Sequence, residues 1–281
     1  MQAVLSYEAR GEASWRSGYA EDCKSLHPGS IPGEASKATG GATRHTDHAG
    51  NIKVDVMFDF ARARRTMVDC QVRTFDVTDR AVLAALEYLP RERFVPEDKQ
   101  LLAFSDQHIV VSEAGHAPAE QGRFLLAPLI FARLIQALDL REGARVLDVG
   151  AATGYGSAVL AHVGAQVTAL ESDEAVAARA RVLAAEFGEG RISVVTGPLA
   201  AGWREGAPYD AIVVNGAFEA VPETLLAQLA DGGKLVGISG ETAAPKALLI
   251  QRAGASTSTR TLFDAPAPVL AGFRAPAEFV F

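Results

Sequence analysis

The chain has 281 residues, 48% of them hydrophobic, and a formal net charge of -7. That length and apolar content suffice for the buried core of one large domain or two small ones. The acidic balance, with a pI near 5.4, argues against a general nucleic-acid binder. No run reaches the ~18 apolar residues of a membrane helix, and the start lacks a basic block followed by an apolar one. A cytoplasmic location, with neither membrane nor nucleic-acid partner, is therefore expected. Cys23 and Cys70 fall outside any C-x-x-C spacing, so neither a disulfide framework nor a zinc site is indicated, and Cys70 is expected to be a small core residue.

Gly, Ser, Ala, Thr and His dominate from Gly29 to Gly50, and apolar periodicity is absent up to about residue 56. Residues 1–56 are expected to be a disordered extension. His45 and His48 sit there without a helix to align their rings, and no metal site is expected. Met57 opens the first segment with a folding pattern, which suggests a native translation start at that position. Residues 57–281 are expected to form a single domain, helical over 57–140 and α/β over 141–281. From Phe58 to about Arg73 the spacing of Phe60, Ala63, Met67 and Val72 predicts a helix. Thr78 is expected to cap a second, in which Val82, Leu83, Leu86 and Leu89 form one stripe ended by Pro90. Arg91, Glu92 and Arg93 follow as a loop. After a polar stretch over 106–122, Pro128 opens a third helix with Leu129, Ile130, Leu134, Ile135 and Leu138 inward.

Beyond Arg141 the chain alternates. Strands are expected at 145–149, 166–171, 192–196, 209–215 and 234–239, with helical segments in the four intervening stretches, which predicts a Rossmann-like, doubly wound, mostly parallel α/β sheet. Alanines at 175, 177, 178, 180, 184 and 185 give the helix after Asp173 high propensity, and Gly188 ends it. Short strands at 247–251, 259–263 and 278–281, too closely spaced for helical crossovers, predict an antiparallel C-terminal edge.

The run Val146-Leu147-Asp148-Val149-Gly150-Ala151-Ala152-Thr153-Gly154-Tyr155-Gly156 reads as a strand entering a glycine-marked turn and then a helix. Such a turn presents backbone N–H groups and a positive helix end to a ligand. The glycines do not stand in the dinucleotide register G-x-G-x-x-G, which counts against an NAD-dependent oxidoreductase. With Asp148 two residues before the first glycine, the run is similar to the D/E-x-G-x-G-x-G loop of class I S-adenosylmethionine (SAM) methyltransferases, with Ala152 at the middle glycine. Glu171, ending the next strand, is placed to accept ribose hydroxyls.

Several further segments carry a family likeness. Met67-Val68, the run Leu89-Pro90-Arg91-Glu92-Arg93-Phe94-Val95-Pro96, Ala103-Phe104-Ser105-Asp106, the strand Tyr209 to Ala217, and Ala227-Gln228-Leu229 with Gly232-Gly233-Lys234-Leu235-Val236 together resemble protein-L-isoaspartate O-methyltransferases, in the family's order. The resemblance implies a SAM-dependent enzyme of protein repair that methylates a carboxylate of isoaspartyl residues in protein or peptide substrates, with 57–140 on the substrate side. It implies cofactor contacts from Asp148, Gly150, Ala151, Ala152, Thr153, Gly154, Glu171, Ser172, Gly197 and Asn215, with Asn215 by the methyl group, and no metal. Asp106 matches a position on the acceptor side.

The likeness breaks in one place above all. Where the family has T-I-S-x-P after a glycine, this chain reads Gly122-Arg123-Phe124-Leu125-Leu126-Ala127-Pro128. Phe124 takes the threonine position and Leu126 that of the serine associated with catalysis, so the catalytic residue is unassigned. Thr196-Gly197-Pro198 stands where the family commonly has G-D-G. Two other readings stay open: a SAM-dependent methyltransferase with a different acceptor, and a SAM-binding or interaction protein without catalysis. Ser105 and Ser112 are candidates to replace the missing hydroxyl.

Overall fold

A computed structural model describes residues 4–7, 42–46, 52–112, 122–221, 223–240 and 244–274, with side chains from residue 58 onward. Most of the expected N-terminal extension, His48 and the expected strand at 278–281 lie outside these residues. Chain contacts divide the protein into units 1–63 and 64–281. In the first, β1 (Val4–Tyr7), β2 (Ala42–Thr46) and β3 (Ile52–Met57) form a small antiparallel sheet in the order β1-β3-β2.

The first predicted helix is shorter and less regular than its apolar spacing suggested. Helix α1 (Phe60–Met67) runs into a wide π-turn over Val68–Val72 and a tight 3-10 turn over Arg73–Phe75, closed by Asp76 at φ 64°. The wide turn buries both Val68 and Val72 but leaves Cys70 half-buried instead of in the core. Helix α2 (Arg80–Tyr88) is capped by Asp79, whose carboxylate accepts from the amides of Ala81 and Val82. Thr78 is not that cap; its own amide is held by Gln136 Oε1 at 2.7 Å. The segment expected as a charged loop is a 3-10 turn over Arg91–Phe94, and Arg91 is only 1% exposed.

Strands β4 (Ile109–Ser112) and β5 (Arg123–Leu125) pair antiparallel ahead of α3 (Pro128–Leu138), which has proline in its first turn as read from the sequence. The α/β core follows with β6 (Arg145–Val149), α4 (Tyr155–His162), β7 (Gln166–Glu171), α5 (Glu174–Phe187), β8 (Ile192–Thr196), β9 (Tyr209–Phe218), α6 (Glu223–Leu226), β10 (Leu229–Ser239), β11 (Lys246–Ala253) and β12 (Ser256–Asp264). The seven-stranded sheet has the order β12-β11-β10-β9-β6-β7-β8. The five strands β6 to β10 run parallel, and β11 and β12 close the edge antiparallel.

Two crossovers depart from the expected alternation. Between β8 and β9 there is no α-helix, only 3-10 turns at Leu199–Ala201 and Arg204–Gly206, because Pro198 and Gly202 (φ 65°) bracket the first turn. Strand β10 starts at Leu229 instead of 234, the extra residues being absorbed as a register shift against β9 where Gly232 adopts φ 76°. The chain moves outward from β6 to β7 and β8, then returns to the other side of β6 with β9. The carboxyl ends of β6 and β9 therefore flank the point where strand order reverses, the place where open α/β sheets bind ligands.

Candidate active site

The turn after β6 folds as its glycines require. Gly150 has φ 71° and Gly154, the N-cap of α4, φ 88°, conformations available to glycine without Cβ strain. An added Cβ on Gly154 would meet that of Ala180 at an ordinary contact distance of 3.5 Å, so backbone conformation and not crowding calls for glycine there. Ala152 adopts φ 51°, a left-handed conformation that costs a residue with a Cβ roughly 1–2 kcal/mol. It persists because its amide donates to Glu171 Oε2 at 2.9 Å.

Asp148, next to last in β6, and Glu171, last in β7, lie on adjacent parallel strands, and both are fully buried. Asp148 accepts from Ser157 Oγ and from Asn215 Nδ2, each at 2.5 Å. Burial nevertheless pushes its carboxyl up to about 6, with the neighbouring charge of Glu171 adding to the rise and the two hydrogen bonds opposing it. Glu171 Oε1 accepts from Arg123 Nε at 2.6 Å and from the amides of Ser172 and Asp173 at 2.7 and 3.1 Å. Arg123 also donates through Nη2 to Ser172 Oγ. Thr153 Oγ1 donates to the carbonyl of Phe94 at 2.6 Å, tying the loop to the buried turn after α2. The amide of Gly197 donates to the Glu171 carbonyl at 3.0 Å.

On the side facing this loop, Phe124, Leu125 and Leu126 are each at most 5% exposed. The Arg91 guanidinium is held against them, donating to the carbonyls of Leu126 at 2.7 Å and Ala103 at 2.9 Å while lying 4.6 Å over the Tyr155 ring. A loop was expected here; two buried carbonyl acceptors and an aromatic face are what draw the cation inward. Asp106 is exposed and accepts from the amide of Leu129 at 3.3 Å, serving the first turn of α3. Ser105 donates to the carbonyl of Leu102 at 2.7 Å, so its hydroxyl is engaged locally. The fold thus brings together Asp148, Gly150, Ala151, Ala152, Thr153, Gly154, Glu171 and Asn215. Arg91, Arg123, Tyr155 and Ser157 join them unforeseen. Of these, Arg91, Arg123 and Tyr155 lie inside motifs quoted from the sequence, and Ser157 lies just beyond one.

Strand order, the glycine turn after β6 and acids near the ends of β6 and β7 define a class I SAM-dependent methyltransferase fold. The family model for protein-L-isoaspartate(D-aspartate) O-methyltransferase matches residues 63–263, and the chain belongs to that family. It is 42% identical over 177 residues to protein-L-isoaspartate O-methyltransferase 1 of Rhodopseudomonas palustris (strain HaA2), covering 63% of this chain and 69% of the relative. It is 38% identical over 221 residues to the protein-L-isoaspartate O-methyltransferase of Roseiflexus sp. (strain RS-1), covering 78% and 97%. A solved protein-L-isoaspartate O-methyltransferase structure superposes with a TM-score of 0.64 at 23% identity, covering 74% of this chain and 66% of that one.

SAM is the methyl donor of this family, and the chain meets that requirement unevenly. The turn and both carboxylates have the type and placement a nucleoside ligand needs. On the Asn215 side the space is small: the cavity bounded by Arg91, Phe124, Leu126, Gly150, Ala152, Tyr155 and Asn215 measures about 10 Å³. That is room for roughly one water, against the ~300 Å³ or more of small-molecule sites.

Proposed function

We propose that this chain is a protein carboxyl methyltransferase of the isoaspartate-repair type, with SAM as methyl donor and isoaspartyl-containing peptides or proteins as acceptors. The observation that carries the reading is the strand–turn–helix from Arg145 to His162 at the switch point, with Asp148 and Glu171 near the ends of neighbouring strands, inside a family match over residues 63–263. An acceptor carboxylate with an ordinary pKa of ~4 is already ionised at neutral pH. The enzyme therefore has to orient it and exclude water, not deprotonate it. Among the described residues no helix is long and apolar enough to cross a membrane; a cytoplasmic site of action is part of the proposal, as is a single domain over 57–281.

The buried Phe124 and Leu126 favour a second reading of the acceptor. Apolar side chains at the positions of the family's hydroxyls select a carboxylate with less polar surroundings than an isoaspartyl peptide. Incubation with labelled SAM and an isoaspartyl peptide tests both readings. Base-labile methyl ester is the expected product, and Leu126→Ser is expected to raise its rate by about 10- to 100-fold, the worth of one hydrogen bond of ~1–3 kcal/mol. Ester on apolar acid acceptors alone would move the chain to the second reading. No ester on any carboxylate, from either variant, would exclude both.

A further inference from the structure

The crevice at the switch point is filled from within the chain. Gly150, just past β6, and Gly216, near the end of β9, flank it. A Cβ on Gly150 would lie 3.1 Å from Leu270 Cδ1, and one on Gly216 would lie 2.6 Å from Leu270 Cγ and 3.2 Å from Phe124 Cζ. Leu270 is 2% exposed. It belongs to a strap, residues 265–273, laid along the end of β9. Val269 bridges Ala217 in parallel register. The Ala217 amide donates to Pro268 O and the Leu270 amide to Ala217 O, both at 2.9 Å, while the Glu219 amide donates to Phe273 O at 2.8 Å. His108 fastens the upstream end, with Nε2 2.9 Å from Pro266 O and Nδ1 accepting from the Ala127 amide at 3.0 Å. Accepting at Nδ1 leaves the proton on Nε2, so one neutral ring ties the strap to the altered T-I-S segment.

The ribose-side acid is closed by the same segment. Glu171 Oε1 already takes three donors, Arg123 among them, and Oε2 takes the Ala152 amide. A ribose diol cannot reach both oxygens unless Arg123 leaves.

We propose that the chain holds its cofactor cleft shut with its own side chains, Leu270 in the crevice between β6 and β9 and Arg123 on Glu171, and that SAM enters only when both are displaced. This rests on the reading of SAM as donor. The two parts are separable, because Leu270 arrives on the strap and Arg123 on β5.

Calorimetric titration of SAM into the full-length protein tests the closure, with thermal melting to show that each variant is folded. Wild type is expected to bind weakly. Leu270→Ala is expected to bind about 10- to 100-fold more tightly, because apparent affinity is intrinsic affinity reduced by the open fraction, and one buried leucine sets the scale of that fraction. Arg123→Gln on top of Leu270→Ala adds a further gain. In hydrogen exchange, saturating SAM is expected to deprotect the amides of Leu270 and Phe273. Micromolar binding by wild type, unchanged in Leu270→Ala and without deprotection, would overturn the closure while leaving the donor intact. Absence of binding in every folded variant would overturn the donor reading and the closure with it.

Discussion

The turn after β6 and the segments that cover it obey different rules. In the turn, backbone geometry dominates. Gly150 and Gly154 take left-handed conformations, α4 starts where the second of them permits, and Asp148 and Glu171 lie near the ends of neighbouring strands. In the cover, formed by 122–128 and 265–273, side-chain bulk dominates: Phe124, Leu126 and Leu270 are buried against the turn, and Arg123 spends its charge on Glu171. A ligand-ready frame and an occupied site thus coexist in one chain.

The comparison breaks most sharply at the ion pair. Arg123→Gln should destabilise the protein by about 3 kcal/mol, since it leaves the fully buried Glu171 without its cation. Pairing it with Glu171→Gln should restore much of that loss, measured as urea midpoints at pH 7. If the single variant matches wild type, the cover does not depend on this pair.

Asp148 provides a probe of the turn itself. Its carboxyl rises from an ordinary 3.8 to about 6 in the folded state, so the folded protein binds the proton more tightly than the unfolded chain does. The associated stability is fully present below about pH 4 and is lost as pH rises through about 6, an order of 3 kcal/mol for a shift of two units. Asp148→Asn keeps partners for Asn215 and Ser157 without the charge. It should be the more stable protein at pH 7.5, with its advantage over wild type shrinking as pH falls to 5. A pH-independent difference between the two would place the cost of Asp148 elsewhere. The smallest effect is expected at Ala152. Relief of its φ 51° conformation in Ala152→Gly should gain at most about 1 kcal/mol, because the freedom glycine adds to the unfolded chain offsets part of the relief. Thermal unfolding would resolve that gain, and a loss would mean the Ala152 methyl contributes packing that outweighs the strain.

Much of the fold was legible because it depends on local periodicity. The strands at 145–149, 166–171 and 192–196 match β6, β7 and β8 in full, since each is a short apolar run bounded by turn residues. The antiparallel edge was readable from connection length alone. The crossover between β8 and β9 was not, since nothing in its composition distinguishes two 3-10 turns from a short helix until Pro198 and Gly202 are seen to bracket the first. The buried Arg91 was missed because a charge cluster after Pro90 reads as solvated surface. Its burial depends on the carbonyls of Ala103 and Leu126, which are distant in sequence.

The sequence by itself determined the core strands from β6 to β10, the glycine turn, the acids beside it and the break at 122–128, because each is set by residue type and spacing within a short window. Only the tertiary structure decided that the site above the turn is filled. That outcome depends on Leu270 meeting Gly150 and Gly216, and on Arg123 meeting Glu171. Excluded volume and ion pairing act between residues that the fold brings together, and the local pattern around Leu270 carries no trace of its partners.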